Sequence, residues 1–233
     1  MTVDDHHEIC TFCAEISGAK EFNLFYELGV AEERSDYVLV ETPNFIVIPC
    51  IGALTDWYVL VVSKRHVLSV GWLTEDEREE LKVLLSQLSE VPQAEGSQGL
   101  AMFEHGTLNF RDKGGACYDH CHIHVVATES AVQEFLASIP AEFDMNPVPS
   151  WIDGAYRMIQ EDQRSYLAAS SRSGEMIGSA AGAPSQFFRR ALATWLGQPA
   201  GEWDAMLYPQ KTRVKLMMEM KPLLSGDAKS SGN

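Results

Sequence analysis

Basic residues are scarce in this chain of 233 residues. Lysine and arginine together number 18 against 33 aspartates and glutamates, which gives a formal net charge of -15. Such a surplus of negative charge repels a polyanionic backbone unless the basic residues are gathered into a stripe, and the sequence contains no such stripe. We therefore expect no nucleic-acid partner.

Long apolar runs are also missing. No segment reaches the roughly 18 consecutive apolar residues of a membrane span, and the first residues, MTVDDHHEIC, are acidic and polar. These absences predict a soluble, unexported protein with no membrane partner. The five cysteines are an odd number, which argues against a disulfide framework and favours the reducing cytoplasm.

The run His-Cys-His-Ile-His-Val-Val at residues 120–126 carries the strongest functional signal. In a β-strand alternate side chains share a face, so His120, His122 and His124 would project together and the apolar residues between them would face a core. A single histidine on a strand is usually structural. Three on one face are costly to bury unless a metal, an anion or catalysis uses them.

The segments around this run are predicted to form β-strands and one helix. Thr74 and Glu77 have the spacing of a capping box, and leucines at helical spacing then predict a helix that ends at Pro92. A glycine-rich loop at 106–115 is suited to a small anion. The predicted strands lie at residues 36–41, 45–48, 57–62, 100–104 and 118–126.

The character of the chain changes after about residue 128, and a proline-rich stretch at 140–149 marks a boundary. We interpret residues 1–139 as a first domain, 140–224 as a mixed α/β extension and 225–233 as a disordered tail. Further elements are predicted as a short helix at 130–139, strands near Tyr166 and Met176, and helices that begin after Pro184 and at Lys211.

With these features in place, the chain resembles the histidine triad (HIT) superfamily of nucleotide hydrolases and transferases over about residues 10–127. The histidine run fits the family pattern of histidines that alternate with apolar residues. Three further pieces resemble family segments in order and spacing: the CxxC of Cys10-Thr-Phe-Cys13, the Lys-x-His segment of Ser63-Lys-Arg-His66, and the substrate-contacting asparagine at Asn109.

The resemblance implies an α+β fold with an antiparallel sheet of about five strands and packed helices, followed by the mixed extension, and a homodimer. In family enzymes the central histidine, here His122, attacks the α-phosphorus of a nucleotide and forms a nucleotidyl-imidazole that water or a second acceptor breaks. A backbone carbonyl holds the far ring nitrogen of that histidine. His124 would stabilise the phosphate charge or assist the leaving group.

The resemblance also implies a structural zinc ion. In members with an amino-terminal CxxC the equivalents of Cys10, Cys13, His66 and His120 bind zinc, and two thiolates with two imidazoles suit a closed tetrahedral site. His105 is a rival fourth ligand or a further active-site group, and the sequence leaves these two roles open. The plainer alternative treats the cysteines as small apolar residues and His66 as a surface histidine.

The chain departs from the family pattern in three places, one of which is the polar Asp119 directly before the histidine run. Asp56-Trp57 replaces the usual Gly-His pair ahead of the Lys-x-His strand, which alters the expected nucleotide pocket. Ala116 and Cys117 stand where many members have a glutamine and a small hydroxyl residue that touch the phosphate and the leaving group. Gly115 and Cys117 are still predicted to bind substrate, with an altered preference for leaving group or acceptor.

The extension contains Pro184-Ser-Gln-Phe-Phe-Arg-Arg190, which resembles a stretch in the tails of some larger HIT-like nucleotide-cleaving proteins. Gln186 and Arg189 are therefore candidates to hold a distal phosphate or an acceptor. The alternative is a solvated helix face with ordinary arginine partners.

Three functions fit the sequence. The first is an enzyme that cleaves or transfers a nucleoside monophosphate group from a dinucleoside polyphosphate, a phosphoramidate or a sugar nucleotide, with a phosphorylase that uses phosphate as acceptor as a variant. The second is a catalytically weak nucleotide-binding or sensing protein. The third treats the cysteines and histidines only as a metal or redox site, which their spacing does not favour.

Overall fold

A computed structural model describes residues 10–94, 97, 99–110, 119–128, 135–136, 139, 143–199 and 201–224. The helices are α1 (Thr11–Ser17), α2 (Leu24–Glu27), α3 (Arg34–Tyr37), α4 (Glu75–Ala94), α5 (Trp151–Gln160), α6 (Phe187–Trp195), α7 (Lys211–Glu219) and α8 (Lys221–Leu224). The strands are β1 (Val40–Glu41), β2 (Phe45–Pro49), β3 (Trp57–Ser63), β4 (Gly99–Gly106), β5 (His122–Thr128), β6 (Asn146–Val148), β7 (Tyr166–Ser171) and β8 (Gly174–Ser179).

Some predicted features lie outside the described residues. They are Gly115, Ala116 and Cys117, most of the predicted helix at 130–139, and the predicted tail at 225–233. Among the residues that the structure does describe, no helix has both the length and the apolar character that a membrane span needs.

The strands form one sheet in the order β1-β2-β3-β5-β4-β7-β8-β6, with antiparallel pairing between neighbours. The α+β class and the antiparallel sheet are confirmed, but the described residues give 8 strands rather than about five. The sheet has more strands than predicted because β7 pairs with β4 and brings β8 and β6 into the same sheet. The division of the chain at residue 139 stays a prediction, although the sheet runs across it.

The histidine-bearing strand β5 lies inside the sheet between β3 and β4. One face of the sheet packs against the leucines of α4 and the apolar residues of α5. The other face carries Tyr58, Leu60 and Phe103 and packs against α1, α2 and α6. Because β-strand side chains alternate, the histidines of β5 lie on this second face.

The capping box is confirmed at the start of α4. The backbone N–H of Thr74 donates to Glu77 Oε2 at 2.7 Å, and the backbone N–H of Glu77 donates to Thr74 Oγ1 at 3.3 Å. The helix continues to Ala94, two residues past the proline predicted to end it, so Pro92 sits in its last turn. There the missing proline N–H costs one helical hydrogen bond and does not break the helix.

Two predicted strands begin later than expected. The strand predicted at 36–41 starts at Val40, because residues 34–37 form helix α3 with a capping box between Glu33 and Asp36. The strand predicted at 118–126 starts at His122. Just before it, the backbone N–H of Cys121 donates to the carbonyl of Val67 at 2.6 Å rather than to a neighbouring strand. His120 therefore precedes the strand, and the three histidines do not share one environment.

Candidate active site and metal centre

Two cysteines and two histidines from three parts of the chain meet at the start of α1. Cys13 Sγ lies 3.2 Å from His66 Nδ1 and 3.6 Å from His120 Nδ1, and Cys10 Sγ lies 3.4 Å from His120 Nδ1. The four ligand atoms all lie within 4.8 Å of one another. One helical turn brings the two cysteines of a CxxC to the same side of a helix start, which explains their joint approach.

The chemistry of this donor set fits a metal ion. The far nitrogen of His120, Nε2, lies 2.7 Å from the carbonyl oxygen of Ser63, so it carries the ring proton and Nδ1 turns its lone pair toward the sulfurs. The pKa of the Cys10 thiol falls well below its ordinary value, mainly because Cys13 donates a hydrogen bond to it. Two sulfurs and two imidazole nitrogens form the set that a closed, four-coordinate site requires.

His105 is not part of this cluster among the described residues. Its Nε2 accepts a hydrogen bond from the backbone N–H of Phe188 at 3.3 Å, and its ring stacks on the ring of Phe188 at 5.1 Å between centroids. It lines a small cleft together with His122 and His124. The structure thus places His105 beside His122 and His124 and outside the metal cluster of the described residues.

The ring of His122 is fixed by its own strand. Nδ1 lies 2.7 Å from the backbone carbonyl oxygen of His120, so Nδ1 carries the proton and Nε2 keeps its lone pair. The ring of Phe12 packs against it with 4.9 Å between centroids. Burial lowers the pKa of His122 to about 4, which keeps the imidazole neutral near pH 7.

The ring of His124 is held at Nδ1 by a side-chain hydroxyl group, whereas that of His122 is held by a backbone carbonyl. Its Nδ1 lies 2.9 Å from the hydroxyl oxygen of Tyr58, and that oxygen accepts a hydrogen bond from Arg189 Nη1 at 3.3 Å. A guanidinium can only donate, so the tyrosine O–H is available to donate to Nδ1 of His124. When the tyrosine donates in this way, the ring proton of His124 lies on Nε2. Burial, with the neighbouring charge of Arg189 among the smaller causes, lowers the pKa of His124 well below its ordinary value.

Arg189 enters the site from α6 and is 3% exposed. Its Nη2 donates to the carbonyl oxygens of Gly52 at 2.7 Å and Trp203 at 2.6 Å, and its Nε donates to Gln186 Oε1 at 3.1 Å. The guanidinium group of Arg189 approaches the backbone of residue 52 so closely that only glycine fits there. A Cβ at this position would lie 2.6 Å from Arg189 Nη2 and 2.4 Å from Ala205 Cβ. The region after residue 139 thus builds one wall of the site.

A cavity of about 290 Å³ opens onto the two histidines. Its walls come from α1, α2, β2, the segment after β2, and the region around α6. They are mostly apolar, with a few polar groups that converge on the interior, as in small-molecule sites generally. The side chains that matter for its chemistry are Phe12, Glu15, Phe25, His122, His124 and Arg189.

Residues 23–136 match the family model described as scavenger mRNA decapping enzyme C-term binding, which represents a HIT-like domain family. Over these residues the chain carries a HIT-like domain. The match supports a nucleotide-binding or hydrolase-type function in general. A search of curated proteins found no match to the chain. The matched residues of the HIT domain include His66 and the histidine run, and they begin after the cysteine pair.

The structure brings together most of the residues that the sequence singled out. His122, His124, Gln186 and Arg189 all line the cavity of the HIT domain. Asn109, which follows β4, does not line this cavity among the residues described. The substrate-binding roles proposed for Asn109, Gln186 and Arg189 stay predictions, as do the catalytic roles of the two histidines.

Sequence reasoning missed Tyr58 and Glu15 in the site of the HIT domain. The signal for Tyr58 was the alternation of β3: Leu60 pairs with His124, and Tyr58 lies two residues earlier on the same face. Glu15 had no such signal, because only the packing of α1 shows where its side chain points.

Asp56, one of the departures from the family pattern, forms an ion pair with Arg213 of α7 at 3.0 Å.

Proposed function

We propose that the protein is a HIT-type nucleotide hydrolase or nucleotidyltransferase that attacks the α-phosphate of a nucleotide conjugate with His122. The observation that carries the proposal is the 2.7 Å contact between His122 Nδ1 and the carbonyl oxygen of His120. It puts the ring proton on one nitrogen and leaves the other, Nε2, as a nucleophile on a ring that lines the cavity.

In the first step Nε2 of His122 forms a bond to the α-phosphorus, and the bond from phosphorus to the leaving group breaks. The leaving group departs with the electron pair and takes up a proton. In the second step water attacks the same phosphorus, the phosphorus–nitrogen bond breaks, and a nucleoside monophosphate is released. Phosphate or another nucleophile in place of water would make the reaction a transfer.

His124 has the complementary role. Because Tyr58 occupies its Nδ1, the N–H of His124 is on Nε2, where it can donate to an oxygen of the phosphoryl group or to the leaving group. Two neighbouring neutral histidines, whose rings lie 5.0 Å apart, would then act as nucleophile and hydrogen-bond donor. The hydrogen bonds to the ring nitrogens support these roles.

Zinc is the metal that the Cys10, Cys13, His66 and His120 cluster suits best, since two thiolates and two imidazoles are a common zinc donor set. A bound zinc ion would supply folding energy and would fasten α1 to the segment that enters β5. With four protein ligands the site has no position for water. No step of the reaction runs through it.

The proposal is tested with a panel of adenylyl, guanylyl and uridylyl conjugates that covers dinucleoside polyphosphates, phosphoramidates and sugar nucleotides. We expect turnover of at least one conjugate, and a loss of about 10³-fold or more in His122→Asn. Circular dichroism and thermal melting verify that the variant is folded. Retained turnover in folded His122→Asn contradicts the proposal. Nucleotide binding without turnover of any conjugate by the wild type would support the sensing function instead.

A further inference from the structure

Glu15 is a buried carboxyl group in a cavity wall that is otherwise mostly apolar. Its residue is 2% exposed, and it lines the cavity together with Phe12, Leu24 and Phe25. A carboxyl group in such a place is costly unless hydrogen bonds compensate for the lost water. Its carboxyl accepts one hydrogen bond, from the backbone N–H of Leu24. A carboxyl group has the capacity for further hydrogen bonds in the direction of the cavity.

The position of Glu15 relative to the histidines fits the far end of a nucleotide. Phe12, whose ring contacts His122 at 4.9 Å between centroids, lies one helical turn before Glu15 on α1. One turn advances the helix by about 5 Å, so Glu15 meets the cavity at a point displaced from the one where Phe12 contacts His122. A nucleotide whose phosphate lies at His122 and which extends along this wall would place the part beyond the phosphate and sugar beside Glu15.

The walls at that end suit a flat aromatic group. Phe12 and Phe25 contribute aromatic rings to the wall, and Leu24 and Ile48 add apolar surface. A nucleobase packs on such side chains regardless of its identity, because every base has a π-face. Discrimination between bases then depends on the polar group at this end, which is Glu15.

We propose that Glu15 selects the nucleobase by accepting a hydrogen bond from an exocyclic amino group, so that the site prefers conjugates of amino-bearing bases. This inference rests on the proposed function, since it takes the cavity as the nucleotide site. A base without the amino group displaces water from the buried carboxyl but donates no hydrogen bond in its place. The desolvation cost is then uncompensated, so such a base is bound more weakly. We expect a preference of about 10-fold or more.

Two matched pairs of nucleoside monophosphates test the preference without any need for turnover. Guanosine and inosine monophosphates differ only in the 2-amino group, and the monophosphates of adenosine and purine riboside differ only in the 6-amino group. Calorimetric titration of the wild type with all four gives two affinity ratios. We expect at least one ratio of about 10 or more in favour of the amino-bearing member.

Variants then assign the preference to Glu15. Glu15→Leu should reduce that ratio to near 1, and Glu15→Gln, which keeps an acceptor oxygen and the side-chain length, should retain part of it. Glu27→Gln, at an exposed glutamate on α2, is the matched control and should leave the ratio unchanged. If Glu15→Leu does not fold, the wild-type ratios and Glu15→Gln still decide the question.

The outcomes separate this inference from the function it builds on. Wild-type ratios near 1 in both pairs, or a ratio that Glu15→Leu leaves intact, overturn the role of Glu15 while turnover on the conjugate panel still supports the proposed function. Failure of all four monophosphates to bind overturns the role as well. Turnover lost in His122→Asn, together with an amino preference lost in Glu15→Leu, supports both.

Discussion

The hydroxyl oxygen of Tyr58 lies 2.9 Å from Nδ1 of His124, and Arg189 donates to the same oxygen. Arg189 can only donate, and the tyrosine O–H can in turn donate to Nδ1 of His124, which would place the ring proton of His124 on Nε2. The carbonyl of His120 can only accept, so it puts the ring proton of His122 on the other nitrogen, Nδ1. Arg189, a residue from beyond position 139, thus contacts the hydroxyl group that holds the ring of His124.

Replacing Tyr58 with phenylalanine removes the donor to His124 Nδ1 and leaves the aromatic ring in place. His124 is then free to protonate at either nitrogen, and its N–H no longer points reliably at the phosphoryl group. We expect kcat to fall about 10- to 100-fold with a smaller change in KM. Steady-state kinetics on the best conjugate of the panel gives both parameters.

Tyr166→Phe is the matched control for Tyr58→Phe. It also removes a buried tyrosine hydroxyl, but that hydroxyl donates to Glu104 on the opposite face of the sheet. We expect a loss of stability with kcat unchanged at a temperature where the variant is folded. An unchanged kcat in Tyr58→Phe, or an equal fall of kcat in both variants, would contradict the role proposed for Tyr58.

The metal cluster predicts a dependence of stability on zinc. Cys13→Ser removes the ligand that contacts both His66 and His120, so we expect loss of bound metal and a fall in Tm of roughly 5 °C or more. Metal analysis of the purified protein and a thermal melt check the two results. A chelator should lower the Tm of the wild type and leave that of Cys13→Ser unchanged.

Cys50→Ser is the control for this experiment, since Cys50 lies in the cavity wall and outside the cluster. It should retain the metal content of the wild type. Stoichiometric metal in Cys13→Ser, or a wild-type protein without metal after growth in zinc-supplemented medium, would show that the cluster does not bind zinc.

Glu104 predicts an unusual dependence of stability on pH. It is 1% exposed, and burial raises its pKa from 4.5 to about 7, although Val70 N–H, Tyr166 and Cys121 hydrogen-bond to it. Between these values the folded protein holds a proton that the unfolded chain has released. This contribution of Glu104 to the free energy of unfolding is present below about pH 4.5 and is lost as the pH rises through about 7, a change of up to about 3 kcal/mol.

Glu104→Gln isolates that contribution, because every other titrating group is the same in both proteins. The variant should be less stable than the wild type at pH 5, and the difference should shrink by about 1–3 kcal/mol at pH 8. Urea unfolding at the two pH values gives the free energies. A difference that is independent of pH, or that grows toward pH 8, would mean that Glu104 is ionised in the folded protein at both.

Local signals predicted much of the fold. The hairpin around residues 42–44, the helix opened by Thr74 and Glu77, and the strands at β3 and β4 follow from alternation, turn residues and capping. The continuation of the sheet into the extension does not, because nothing local marks the pairing of β7 with β4. Strand pairing over such a separation depends on tertiary packing that no single segment contains.

The site was predictable where one segment carries its own chemistry. The histidine run was recognised by residue type and spacing, and the resemblance to the HIT superfamily implied its partner cysteines. The structure brings Cys10, Cys13, His66 and His120 together as expected. Tyr58 and Glu15 were not recognised, because their roles depend on which side of an element faces the cavity. The homodimer, the cytoplasmic location and the nucleotide substrate stay predictions.

The covalent intermediate tests the central claim most directly. The wild type is incubated with its best conjugate, held at neutral pH to preserve a phosphorus–nitrogen bond, and measured by intact-mass spectrometry with peptide mapping. We predict a mass increase of one nucleoside monophosphoryl group, located on His122 and absent from folded His122→Asn. An adduct on a different residue, or turnover at the wild-type rate in His122→Asn, would contradict the assignment of His122 as the nucleophile.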